Sequence, residues 1–156
     1  MHNNYSLNSG FTLVEMLIAI TVFSILALIA YPTYSNYVRD ARIAEVQGAL
    51  IENAHFMEKF YLQHHSFKRN STTWPTLPIT ANNHFCIKPQ GNARGANTDR
   101  FTLKAVAFNK SAEPRVIKIN EAQQIIICES SKSTCDDNDN FFSGANSTDK
   151  QCRMVY

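Results

Sequence analysis

No Cys-x-x-Cys pair occurs in this chain and no histidine cluster stands beside its cysteines, so the spacing of a zinc site is missing. No nucleophile with a neighbouring base, and no pair of carboxylates suited to a pocket, stands out, which argues against an enzyme. Basic residues are missing from the first ten positions, MHNNYSLNSG, and in the twenty that follow Glu15 is the one charge. At 156 residues the chain suits one ordinary domain and is too short for a multidomain enzyme.

What is there is unevenly placed. The formal net charge of +2 averages three regions: −2 from Met1 to His65, +6 from Ser66 to Ile127, and −2 from Cys128 to Tyr156. A positive excess confined to the middle suggests an anionic partner there. The four cysteines, Cys86, Cys128, Cys135 and Cys152, all lie in the second half. In a chain with an export signal an even number reads as two disulfides formed outside the cytoplasm, with the pairing open.

The run from Phe11 to Ala30, FTLVEMLIAITVFSILALIA, would form a helix about 30 Å long, the thickness of a bilayer core. An ordinary secretory signal ends in a small-residue cleavage site after its apolar run, whereas here Gly10 precedes it. Glu15 costs about 2.5–3.5 kcal/mol at such a depth even on lenient scales, so it calls for a partner. A plain membrane anchor is the simpler alternative. GFTLVEMLIAI resembles the class III signal of the type IV pilin family. The resemblance implies that a prepilin peptidase cuts after Gly10 and methylates Phe11, and that Glu15, then the fifth residue, offsets the amino group of a neighbouring subunit. The leader departs from the pattern in lacking Lys and Arg, so charge specifies its orientation less well.

Beyond the apolar run, Ile43, Val46, Leu50, Ala54, Met57 and Tyr61 recur at helical spacing and lay a stripe along one face. Pro32 predicts a kink or a melted turn, and Gly48 is a second weak point. Tyr31, Tyr34 and Tyr37 read as packing residues at a membrane interface or in a filament core. A loop-like stretch holds Pro75 and Pro78, and short strands are expected at Phe85–Lys88, Phe101–Phe108, Val116–Ile119 and Ile125–Cys128. A long helix packed on a small antiparallel sheet is an α+β arrangement. It is also the type IV pilin fold that the resemblance implies, with residues 1–10 as leader, 11–37 as the membrane and filament-core half of the helix, and 38–156 as the globular head.

The last segment, from Glu129, is polar and acidic and reads as a loop that disulfides must order. The resemblance favours Cys128 with Cys152 and Cys86 with Cys135, because a bracket around a C-terminal loop is common in pilins. Its tract CDDNDNFFSG places Asp137 and Asp139 in alternation with asparagines, but Phe141 stands where an EF-hand loop needs glycine. No metal or other cofactor is expected.

The blocks ENAHFMEKFYLQ, TTWPTLPI, FCIK, ARGA, LKAVA and IKINE are similar to the DNA-uptake minor pilins of naturally transformable neisserial bacteria. That resemblance implies a double-stranded DNA receptor, first in the inner membrane and then in an extracellular filament with other pilins. In RFTLKAVAF the alternation turns Lys104 away from the helix, toward solvent in this reading, and Lys88 and Lys118 lie on other strands, so that three lysines can line up across a sheet. Their positions match the family's basic stripe. A solvated sheet face with scattered lysines is the bland alternative. Arg94, in the loop GNARGAN, is a further candidate for touching a phosphate or a base, and Lys68, Arg69 and Arg115 stand in reserve. The competing functions are a structural or adhesive minor pilin, and a secretion-system pseudopilin that binds calcium.

Overall fold

A computed structural model of the chain describes residues 10–136 and 148–155. Helix α1 spans Leu13–His64 and opens on a reciprocal cap. The Thr12 N–H and hydroxyl donate to the Glu15 carboxylate at 3.4 and 3.3 Å, and the Glu15 N–H donates to Thr12 Oγ1 at 3.2 Å. No turn is melted at Pro32; the helix runs through it unbroken. Proline withholds one N–H from the preceding turn, and beside it the Thr33 hydroxyl donates to the Ile29 carbonyl at 3.1 Å.

The chain divides into two compact units between Val38 and Arg39. In the first, α1 leaves large apolar side chains exposed all round, among them Phe23, Leu28 and Tyr31, and it is long and apolar enough to cross a membrane.

In the second unit the helical stripe is buried: Ile43, Val46, Leu50, Ala54 and Met57 pack on a five-stranded antiparallel sheet. Strands β1 (Phe85–Pro89), β2 (Thr102–Ala107), β3 (Val116–Asn120), β4 (Ile125–Ser131) and β5 (Asp149–Met154) lie side by side in chain order. Period-2 alternation sends Phe85, Ile87, Leu103, Ala105, Ile117, Ile119, Ile125 and Ile127 into that core. The irregular stretch after α1 is clasped by Asn53, a fully buried helical side chain. Its amide nitrogen donates to the Ile79 carbonyl at 2.7 Å and its oxygen accepts the Ile79 N–H at 3.1 Å.

Strand β5 corrects the reading of the C-terminal segment as loop throughout. Its sequence, DKQCRM, has neither alternation nor β-branched residues, so the strand exists through its neighbours. Cys152 lies directly opposite Cys128 on β4 and is bonded to it, while a second bond joins Cys86 on β1 to Cys135. On the outer face of the sheet, away from α1, Cys86, Val106, Val116 and Cys128 form a second apolar cluster with Ile126 and Cys135. At the outer edge of β1 the Ile87 N–H donates to the Thr80 carbonyl at 2.7 Å, and Pro89 ends the strand. The opposite edge strand, β5, exposes Lys150 and Arg153.

Candidate nucleic-acid interface

Strand register places Lys88 opposite Lys104 and Lys104 opposite Lys118, so three ammonium-bearing side chains form one row across β1, β2 and β3. The row lies on the outer face, since its neighbours in sequence, Ile87, Leu103 and Ile117, face the core.

It does not lie open to solvent. Lys104 is wholly buried, which corrects the expectation of an outward, solvated cation. Alternation sets the face on which a side chain emerges, but the start of the C-terminal segment covers this face. Lys104 Nζ donates to Asp149 Oδ1 at 2.6 Å and to Ser133 Oγ at 2.9 Å, and Lys118 Nζ donates to Asp149 Oδ2 at 3.0 Å. The Ser131 hydroxyl adds a 2.6 Å bond to Asp149 Oδ1. Lys110 Nζ reaches the Ser131 carbonyl at 2.6 Å, and Lys88 Nζ the Cys135 carbonyl at 3.0 Å. Burial pushes the Lys104 ammonium below the usual lysine range, against the pull of Asp149. Burial also works to raise the Asp149 carboxyl, but the bonds from Lys104 and Ser131 and the lysine charges outweigh it and hold the group below the usual carboxylate range.

Two of the reserve cations are also engaged within the fold. Lys68 Nζ donates to the carbonyls of Ala93 and Ala96 at 3.3 and 2.8 Å, tying the post-helix stretch to the turn that carries Arg94. Arg115 grips both oxygens of buried Glu113 at 2.8 Å and reaches Asp40 at 3.1 Å. Glu113 is held below its ordinary range, because Arg115 and Arg39 outweigh the upward push of burial.

The exposed cations of the middle segment lie outside this row. Arg94 sits in a 3-10 turn, Ala93–Gly95, opened by Asn92, whose side chain accepts the Arg94 N–H at 2.9 Å. Gly91, at φ +80°, supplies the left-handed residue that this loop requires, and its carbonyl accepts the Trp74 indole N–H at 3.1 Å. Trp74, Gln90, Asn97, Arg100, Asn120 and the carboxylate-bearing Glu121 line an open polar cleft of about 340 Å³. The Gln90 side-chain oxygen is buried there without a hydrogen-bond partner. Arg69, Arg94 and Arg100 are all exposed. Arginine side chains, a partly exposed indole and amide groups are the chemistry that meets phosphates and base edges.

Asp149 is the residue that sequence reasoning passed over. The signal for it was indirect: a lysine row between apolar strands needs a counter-charge, and the acidic last third is where one was available. Asp137 and Asp139 lie outside the described residues, and among those described no group of three or more His, Cys, Asp or Glu is placed to hold a metal. Gly10 and Phe11 are exposed ahead of α1, and Glu15 is occupied by its own cap.

A profile of the family described as type IV minor pilin ComP, DNA uptake sequence receptor, matches residues 32–116, and one for the prokaryotic N-terminal methylation motif matches residues 5–31. The solution structure of the minor DNA-uptake pilin ComP from Neisseria subflava superposes with a TM-score of 0.60 at 41% identity, over 73% of this chain and 95% of that one. The global fold of the type IV pilin ComP from Neisseria meningitidis gives 0.51 at 47% identity, over 76% and 98%. The major pilin PilE1 of Neisseria gonorrhoeae is 32% identical over 68 residues, 44% of this chain and 41% of that protein, so the chain spans about two-fifths of the length of the curated relatives first matched. The fold is that of these pilins, and the profile match over residues 32–116 takes in more than half of the sequence: this chain belongs to the ComP family of type IV minor pilins.

Proposed function

We propose that this pilin is a receptor for double-stranded DNA in natural transformation, carried first in the inner membrane and then in a type IV pilus outside the cell. The observation that carries this reading is the set of exposed arginines, Arg69, Arg94 and Arg100, the last of which lines the polar cleft beside Trp74, in a segment of net charge +6 within a chain of this family. The arginines attract the phosphate backbone, and the cleft with the Arg94 turn and the disulfide-held C-terminal segment supplies preference for a short uptake word. Lys88, partly exposed, adds to the positive field, whereas Lys118 is tied to Asp149 and Lys104 acts by holding the C-terminal segment in place.

Residues 11–37 form the membrane and filament-core segment on this reading, and 38–156 the head. A prepilin peptidase removes residues 1–10 and methylates Phe11. Glu15 then exchanges its own cap for the amino group of a neighbouring pilin.

The test is a gel shift with the full chain in detergent, using random duplex and duplex bearing an uptake word. Each phosphate contact contributes about −0.9 to the slope of log affinity against log salt, so three arginine contacts give a slope of about −2.7. Replacing the three arginines by alanine removes most of that slope. Absence of salt-dependent binding overturns the receptor reading in favour of a structural or adhesive pilin. Stabilisation by calcium that a chelator abolishes points to the pseudopilin instead.

A further inference from the structure

We infer that Asp149 is an internal stand-in for a DNA phosphate: its carboxylate bridges Lys104 and Lys118 and so withholds Lys118 from sequence-independent attraction to nucleic acid. The inference rests on the DNA-receptor reading and adds to it a residue that sets how much charge the lysine row presents.

The geometry is that of a bridging oxyanion. Oδ1 takes the buried Lys104 ammonium at 2.6 Å and Oδ2 takes Lys118 at 3.0 Å, two cations sharing one anion as they would share a phosphate. Lys118 is the member within reach of a ligand, since 14% of its side chain is exposed while Lys104 has none. Ser131 fixes the carboxylate through a 2.6 Å bond to Oδ1, which leaves Oδ2 directed at Lys118. A DNA phosphate approaching Lys118 therefore competes with a carboxylate already in place, and the competition carries no sequence information. Asp149 is thus a positioning residue that acts through Lys118.

The test compares the full chain in detergent with Asp149→Asn, which keeps the shape and removes the charge. Two readouts are used: acetylation of Lys118 by an amine-reactive ester, followed by peptide mass mapping, and binding of random and word-bearing duplex as salt is varied. Asp149→Asn is expected to label several-fold faster at Lys118, to bind random duplex about eightfold more tightly near 0.1 M salt, and to steepen the salt slope by about 0.9. Both duplexes gain alike, so their affinity ratio stays unchanged, and Asp149→Glu restores the original behaviour. Should Asp149→Asn fold poorly because Lys104 is left without its counter-ion, the double variant Lys104→Met with Asp149→Asn removes that burden and carries the same expectations for labelling and for the salt slope. Unchanged labelling, or an unchanged slope in a chain that binds DNA, overturns the inference. Faster labelling in a chain that binds no DNA with or without the substitution supports the bridge and overturns the receptor reading, so the two failures are distinguishable.

Discussion

Lys104 and Asp149 are 45 positions apart in sequence and 2.6 Å apart in space, one wholly buried and the other nearly so. The pair fastens β5 and the Ser131–Ser133 segment to the middle of the sheet. Breaking a buried pair by removing one partner strands the other charge, and Asp149→Ala is expected to cost about 3–5 kcal/mol, measured as the shift in chemical unfolding of the oxidised chain. Replacing Lys104 by Met and Asp149 by Leu together should cost much less than the single change.

Stability should fall on acidification, and in a particular direction. Asp149 and Glu113 both have folded values held below their ordinary ones. Such groups contribute in full above about pH 4–5, where the unfolded carboxylates are ionised, and the contribution is lost as the pH falls through the folded values. Lys104 is lowered by burial, so its charge is unfavourable to folding at neutral pH and the penalty is relieved as the pH rises toward the ordinary lysine value. Melting curves of Glu113→Gln should therefore show a weaker acid dependence than the unaltered chain, and an equal dependence would discredit the Arg115–Glu113–Arg39 cluster as its source.

Each disulfide closes a loop, with separations of 49 residues for Cys86–Cys135 and 24 for Cys128–Cys152. On the chain-entropy model these contribute about 4 and about 3.5 kcal/mol. Because the β5 sequence does not favour a strand, Cys128→Ser with Cys152→Ser is expected to release β5 while β1 to β3 persist. Amide exchange would show this as lost protection at Val155, whose N–H donates to the Ile125 carbonyl at 2.9 Å, beside retained protection in β2.

For processing, Gly10→Ser should leave an uncut chain in the membrane fraction, and a mature-length band from that variant would count against the pilin signal at Gly10 and Phe11. Glu15→Ala should be cut normally and enter filaments poorly. The loss of the two bonds that its carboxylate accepts from Thr12 should also loosen the start of α1 by about 1 kcal/mol, which amide exchange at the first helical turn reports.

The helical stripe from Ile43 to Met57 and the alternation in β1 to β4 were legible because burial on one side imposes a period, and from that period the lysine row followed. The cover over the row was not. Alternation states which face a side chain leaves by, not what packs on that face, so Lys104 looked like a surface cation and proved to be a buried one. Lys68 and Arg115 carry the same lesson, since the two backbone carbonyls that hold the one and the Asp40 carboxylate that meets the other are brought to them only in three dimensions. Strand β5 escaped notice because it is specified by a covalent neighbour rather than by its own residues.

The guarded edges of the sheet take on meaning in a pilus, where the heads of related pilins stand at high mutual concentration. Bare strand edges in such a crowd would invite copies to stitch together through their backbones, in competition with ordered growth. Here one edge carries a crossing segment and a proline, and the other is a short strand with Lys150 and Arg153 on its exposed face, pinned to its neighbour by sulfur. A head guarded in this way leaves its neighbours little open ladder to join, so crowding alone does not turn the sheet into a second route to aggregation.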